Sequence, residues 1–183
     1  MPRHRMPATI ELPATPLSRP MPLCDQRTVL ITGAGGGLGR AYALAFAAER
    51  HPELIIDLPT LTGAARVALG PQLPPLSCPS MDTARELVDL GLALDDPLWH
   101  LPLWAPYKSG IESSIGDIVN TGRSPMAGAI NAALFLEHFV PPQQDWLHID
   151  LFAWNDTARP GRPVGGEGQT LRALLQYLAQ RFR

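Results

Sequence analysis

The sequence predicts an α/β layered domain: a mostly parallel central sheet flanked by helices. Two short apolar runs, Val29-Leu30-Ile31 and Leu54-Ile55-Ile56-Asp57-Leu58, have the length and composition of buried parallel strands. A glycine-rich turn and the alanine-rich stretch Leu38 to Arg50 separate them, which is the order of a βαβ unit. With 183 residues and 45% hydrophobic content the chain fills one core rather than two.

Taken in order, residues 1–25 carry Pro2, Pro7, Pro13, Pro16, Pro20 and Pro22 among few large apolar side chains, so they are expected to be a disordered or extended tail. Arg3, His4 and Arg5 hint at organelle targeting, but the prolines that follow spoil an amphipathic helix. Residues 26–183 are expected to form the single domain, with 26–50 its first strand and helix and 51–183 the remainder. Helices are predicted over Thr83 to Leu94, with Ser80 and Asp82 near its start, and over Met126 to Phe139, where Ile130, Leu134 and Phe135 share a face. Leu147 to Phe152 reads as a strand. The last helix, Thr170 to Phe182, carries Leu171, Leu174, Leu175, Leu178 and Phe182 as the stripe expected to pack on the sheet. Proline-rich stretches at 71–79, 97–106 and 141–142 read as connectors, and no internal repeat is present.

Composition narrows the function classes. The net charge is −2 and the isoelectric point about 6.2, and no basic run or aromatic-basic interleaving occurs, so neither nucleic acid nor an anionic membrane is an expected partner. No apolar stretch approaches a bilayer span and the N-terminus has no secretory apolar core, from which a cytoplasmic protein is expected. Cys24 and Cys78 have no metal-like spacing and read as free thiols. Lys108 is the single lysine, so a mechanism that needs two lysines is excluded.

Thr32-Gly33-Ala34-Gly35-Gly36-Gly37-Leu38-Gly39 resembles the Thr-Gly-x-x-x-Gly-x-Gly turn of the short-chain dehydrogenase/reductase family. In such a turn Gly33 permits the tight bend, Gly37 admits a pyrophosphate close to backbone, and Gly39 allows helix and strand to pack closely. Asp57, ending the next strand, is placed to accept from a ribose 2′-hydroxyl and to favour NAD over NADP. The family's catalytic Tyr-x-x-x-Lys pair has no counterpart: Tyr42 lies in the first helix, Tyr107 directly precedes Lys108, and Tyr177 has Arg181 at its fourth position. The Asn-Asn-Ala-Gly segment is missing too. This resemblance covers only about residues 28–58 and implies cofactor binding without catalysis.

A longer resemblance runs from about residue 47 to the C-terminus. Ile55-Ile56-Asp57-Leu58-Pro59-Thr60-Leu61-Thr62-Gly63-Ala64-Ala65, Asp96-Pro97-Leu98-Trp99-His100-Leu101-Pro102-Leu103, Gly122-Arg123-Ser124-Pro125-Met126-Ala127-Gly128-Ala129-Ile130, Trp146 to Asn155 and Arg159-Pro160-Gly161-Arg162-Pro163 occur in the order found in the leucyl (cytosol) aminopeptidase family, which the chain resembles in its C-terminal half. Pro59 stands where that family usually has Ala. The resemblance implies a mixed, mostly parallel sheet, incomplete relative to the intact catalytic domain and open to leaving an apolar face exposed. It further implies removal of N-terminal amino acids from peptides by a two-metal centre of Zn or Mn, in subunits that form hexamers.

The family's metal ligands precede the Thr-Leu-Thr-Gly turn, chiefly in an Asn-Thr-Asp-Ala-Glu-Gly-Arg segment. Here that place holds Gly36-Gly37-Leu38-Gly39-Arg40, where only Gly39-Arg40 resembles the motif. The resemblance therefore implies neither catalytic residues nor bound metal in this chain, while Thr60, Leu61, Gly63, Phe152 and Asn155 correspond to the side-chain pocket. His148 and Asp150, two apart on one strand, with Asp57 on a neighbour, are the one conceivable rebuilt metal site, and His-x-Asp occurs in the family without liganding. His100 and His138 read as edge or surface residues, and Asp95-Asp96 before a proline as a turn.

The favoured reading is a truncated or fused aminopeptidase-like chain without activity of its own. A nucleotide-binding module over residues 28–58 and an oligomerisation or scaffold piece are the alternatives.

Overall fold

The computed structural model describes residues 29–31, 52–120 and 124–182. Residues 1–25, expected as a tail, the turn residues Gly33, Gly37 and Gly39, the helix expected over 38–50 and Cys24 lie outside the described residues, as do Gly122 and Arg123 of the family-like segments.

Among the described residues, five strands form the central sheet, in the order β1-β2-β5-β3-β4. They are β1 (Val29–Ile31), β2 (Ile55–Asp57), β3 (Pro75–Ser77), β4 (Trp99–His100) and β5 (Trp146–Ile149). β1 pairs parallel with β2, β2 with β5, and β3 with β4, whereas β3 runs antiparallel to β5. The sheet is thus mixed and mostly parallel, as the sequence implies. A separate hairpin joins β6 (Trp154–Asn155) to β7 (Gly165–Gly166).

β3 and β4 correct the reading of residues 71–79 and 97–106 as connectors. Proline has no N–H for a ladder, yet Pro75 opens its strand and needs only its carbonyl, which accepts from Asp150 N–H at 3.1 Å. Pro74 likewise accepts from Trp99 N–H at 3.0 Å. The second proline-rich stretch also leads into a 3-10 helix, Ala105–Ile111, with Pro106 in its first turn.

The α-helices among the described residues are α1 (Gly63–Leu69), α2 (Met81–Ala93), α3 (Gly128–Glu137) and α4 (Leu171–Arg181). Sequence periodicity does not single out α1, whose seven residues are too few to show a repeat. α2 starts ahead of the predicted Thr83 because Ser80 Oγ caps it by accepting Thr83 N–H at 3.2 Å. α3 starts later than predicted, since Ala127 sits at φ 56°, a left-handed geometry that no helix continues through.

The two faces of the sheet differ in chemistry. On one, Leu54, Ile56, Leu76, Cys78, Leu147 and Ile149 pack with Ala84 and Leu87 of α2 and with Ala173, Leu174 and Tyr177 of α4. The predicted stripe on α4 is corrected here. Leu171 and Leu175 are 64% and 67% exposed, and the helix is rotated so that Ala173 and Tyr177 join Leu174 inside. Asp96 sets that rotation: its buried carboxylate accepts from Thr170, Arg172 and Ala173 N–H at 2.9, 2.7 and 3.3 Å, capping α4 from a distant turn. The other face carries Ile55, Asp57, Trp146, His148 and Ser77 in lateral register. α3 lies against β3, α1 and the 3-10 helix, presenting Ala129, Ala133 and Leu134 as its buried residues.

Candidate functional site

The carboxyl ends of the parallel strands β2 and β5 meet in one cluster, the place where open α/β sheets characteristically bind ligands. The predicted strand over 147–152 stops at Ile149, because Asp150 and Leu151 turn toward the segment after β2. Leu151 N–H donates to Pro59 carbonyl at 2.8 Å. The Asp150 carboxylate accepts from Leu61 N–H at 2.7 Å, Thr62 N–H at 3.0 Å and the Thr62 hydroxyl at 2.6 Å. Thr62 Oγ1 in turn accepts from Ala65 N–H at 3.1 Å, capping α1. One buried carboxylate thereby fixes a turn and the start of a helix together.

Thr60, Leu61 and Gly63 are exposed around that turn. Phe152 comes to the same end of the sheet by its link to α1, where the Arg66 guanidinium lies over its ring, 5.0 Å from the centroid. Arg66 Nη2 is also within 3.5 Å of the position a Gly63 side chain would occupy. Sequence reasoning does not find Arg66, since only the folded chain sets it between Gly63 and Phe152. Gln169 supports the segment by accepting from Phe152 and Ala153 N–H at 3.1 and 2.9 Å. Asn155 points elsewhere: buried, it donates to the carbonyls of Arg162 and Pro163 at 2.9 and 2.8 Å. Its role in the fold is to hold the loop between β6 and β7, together with Arg159 and Arg162, which both pair with Glu167. The Glu167 hydrogen bond raises the Arg162 pKa above its already high ordinary value.

Asp57 is buried in the polar row of the sheet. One oxygen accepts from Trp146 Nε1 at 2.6 Å and the other faces His148 Nδ1 at 2.7 Å, while the Trp146 and His148 rings stack with centroids 5.8 Å apart. These contacts occupy both Asp57 oxygens inside the sheet. His148 Nε2 is buried and has no hydrogen-bond partner among the described residues.

These donors do not fit a metal centre. Asp150 is spent on the turn, Asp57 on Trp146 and His148, and among the described residues no three His, Cys, Asp or Glu side chains are grouped to hold an ion. Nor is any helix among the described residues long and apolar enough to cross a membrane.

Comparison with known proteins finds likeness of both sequence and fold. The family model described as cytosol aminopeptidase family, catalytic domain, matches residues 25–175. A probable cytosol aminopeptidase of Synechococcus sp. (strain RCC307) is 40% identical over 148 residues, covering 80% of this chain and 29% of that protein. The crystal structure of a cytosol aminopeptidase from Coxiella burnetii shares 52% identity at a TM-score of 0.73, over 79% of this chain and 32% of that one. The bottromycin maturation enzyme BotP in complex with Mn shares 30% identity at a TM-score of 0.71, over 79% and 33%. The chain spans about a third or less of the length of these proteins.

Proposed function

Since the chain belongs to the cytosol aminopeptidase family, we propose that it carries the side-chain pocket wall of a metal-dependent aminopeptidase without the donors that hold the metals, and that alone it hydrolyses no peptide. The observation that carries this reading is the Asp150 carboxylate fixing the turn that bears Thr60, Leu61 and Gly63. A wall held by charge-assisted hydrogen bonds is preorganised to receive a substrate side chain. Phe152 supplies apolar surface, and Arg66 over its ring closes one side. Asn155 acts away from this wall, holding the loop between β6 and β7.

In metal-dependent relatives the metals activate water and polarise the scissile carbonyl. Asp57, His148 and Asp150 are already committed within the fold, and the Asn-Thr-Asp-Ala-Glu-Gly-Arg segment is replaced, so this chain's residues supply no such step. What they do is position: Asp150 orders the turn, Gln169 orders the Phe152 backbone, and the sheet presents both at one end.

The test is release of p-nitroaniline from leucine p-nitroanilide by the purified chain with Mn or Zn added, against a chelated control and an intact family member. Circular dichroism verifies folding in the same samples. The expected result is folded protein with no turnover above the chelated control. Chelator-sensitive turnover would overturn the proposal.

A further inference from the structure

A second concavity lies at the opposite end of the sheet, where β5 begins. It encloses about 500 Å3, a volume suited to a small molecule, between the 3-10 helix, the C-terminal end of α3, the start of α2 and the segment 140–146. Its lining includes the single lysine of the chain, Lys108, and Glu137, with the lysine ammonium 2.9 Å from Glu137 Oε2. That oxygen is shielded from solvent and accepts no hydrogen bond, so proximity here gives charge pairing without alignment. The two side chains remain 53% and 27% exposed, each with hydrogen-bonding capacity to offer.

From this arrangement we infer that the concavity binds a free α-amino acid with an apolar side chain. Asp145 also lines the concavity, but its carboxylate is already paired with Arg181, which leaves Lys108 and Glu137 as the charges to be met: a lone anion placed here faces the Glu137 carboxylate as well as Lys108, and a lone cation the reverse. A zwitterion satisfies both, its ammonium on Glu137 and its carboxylate on Lys108. Ser80 stands on the rim as the α2 cap; its Oγ accepts Thr83 N–H and keeps its own O–H to donate to the carboxylate, beside the positive end of that helix. Val140, Pro141 and the edge of Trp146 supply the apolar wall for the side chain. Thr60, Leu61, Gly63 and Phe152 are not among its described lining residues, and the site does not depend on hydrolytic competence.

Isothermal titration calorimetry of the metal-free chain tests it, with L-leucine, N-acetyl-leucinamide and the dipeptide Leu-Leu as probes. Saturable one-to-one binding of L-leucine is expected, with the uncharged N-acetyl-leucinamide silent. Lys108→Met and Glu137→Gln each weaken leucine by about tenfold, the scale of one lost charge contact, while Phe152→Ala leaves it unchanged. Both charged positions are partly exposed, so the variants fold, and their thermal unfolding midpoints verify it. Binding of Leu-Leu in place of leucine transfers the site to short peptides and overturns the free amino acid as ligand. Equal binding of the uncharged analogue, indifference to both charge variants, loss in Phe152→Ala, or no saturable heat with leucine each overturns the inference.

Discussion

Asp150 and Thr62 meet side chain to side chain at 2.6 Å, across 88 residues of sequence. The same carboxylate accepts two backbone N–H groups of the turn, and the Thr62 hydroxyl passes the order on to α1. Asp150→Asn keeps the shape but removes the charge and turns an amide toward N–H donors. A loss of about 3 kcal/mol is expected, as for other broken buried networks. Urea unfolding measures it, and a double-mutant cycle with Thr62→Val should give a coupling above about 1 kcal/mol. Strictly additive losses would show that the two residues act independently.

Gly91, in the last turn of α2, is required by close approach rather than by backbone conformation. A methyl group there would come within 2.6 Å of Leu98 Cδ2 and 2.9 Å of the Asp96 carbonyl oxygen. Leu98 is fully buried and Asp96 is fixed by capping α4, so neither has room to give. Helix propensity alone favours Gly91→Ala by about 1 kcal/mol. The expected outcome is the opposite sign, a net loss of about 2 kcal/mol from overpacking. A variant as stable as the parent would mean that the α2–β4 turn yields.

The apolar runs at β2 and β5 mark their strands because each is buried on both faces. β3 and β4 are not legible in the same way: the prolines around them signal missing donors, and only the sheet shows that their carbonyls do the pairing. The stripe on α4 misleads because Asp96, a sequence-distant cap, chooses the rotation, and Tyr177 goes inside, where its hydroxyl takes Arg181 Nη1 at 2.8 Å. For the candidate site, the turn residues carry a recognisable pattern. The cohesion does not, because one carboxylate serving three donors and Arg66 over Phe152 both depend on contacts far apart in the chain.

His100 lies on edge strand β4, where burial lowers its pKa below the ordinary 6.5. The unfolded chain then binds the proton more readily than the folded one. Stability is therefore undiminished above about pH 6.5 and falls as pH drops from there through the folded pKa. His100→Gln, which cannot take up the proton, should flatten the stability profile as the pH falls below about 6.5. An unchanged slope, measured by denaturant unfolding at several pH values, would assign that acid sensitivity to other groups.

Cys78 shows how the core controls a thiol. Burial pushes its pKa from 9.0 to about 11, helped by the Asp145 charge and partly offset by the Ser80 backbone. Two units leave about a hundredfold less thiolate at neutral pH than an ordinary cysteine has. The side chain is also 5% exposed among Leu54, Leu147 and Leu174, so a reagent has to wait for the fold to open. In a Cys24→Ser background, where Cys78 is the single thiol, iodoacetamide labelling at pH 8 should be slow in native buffer. It should accelerate in urea in step with unfolding, because the rate then follows the population of opened chains. Rapid labelling without denaturant would mean that the α2–α4 side of the sheet opens locally, independently of the global transition.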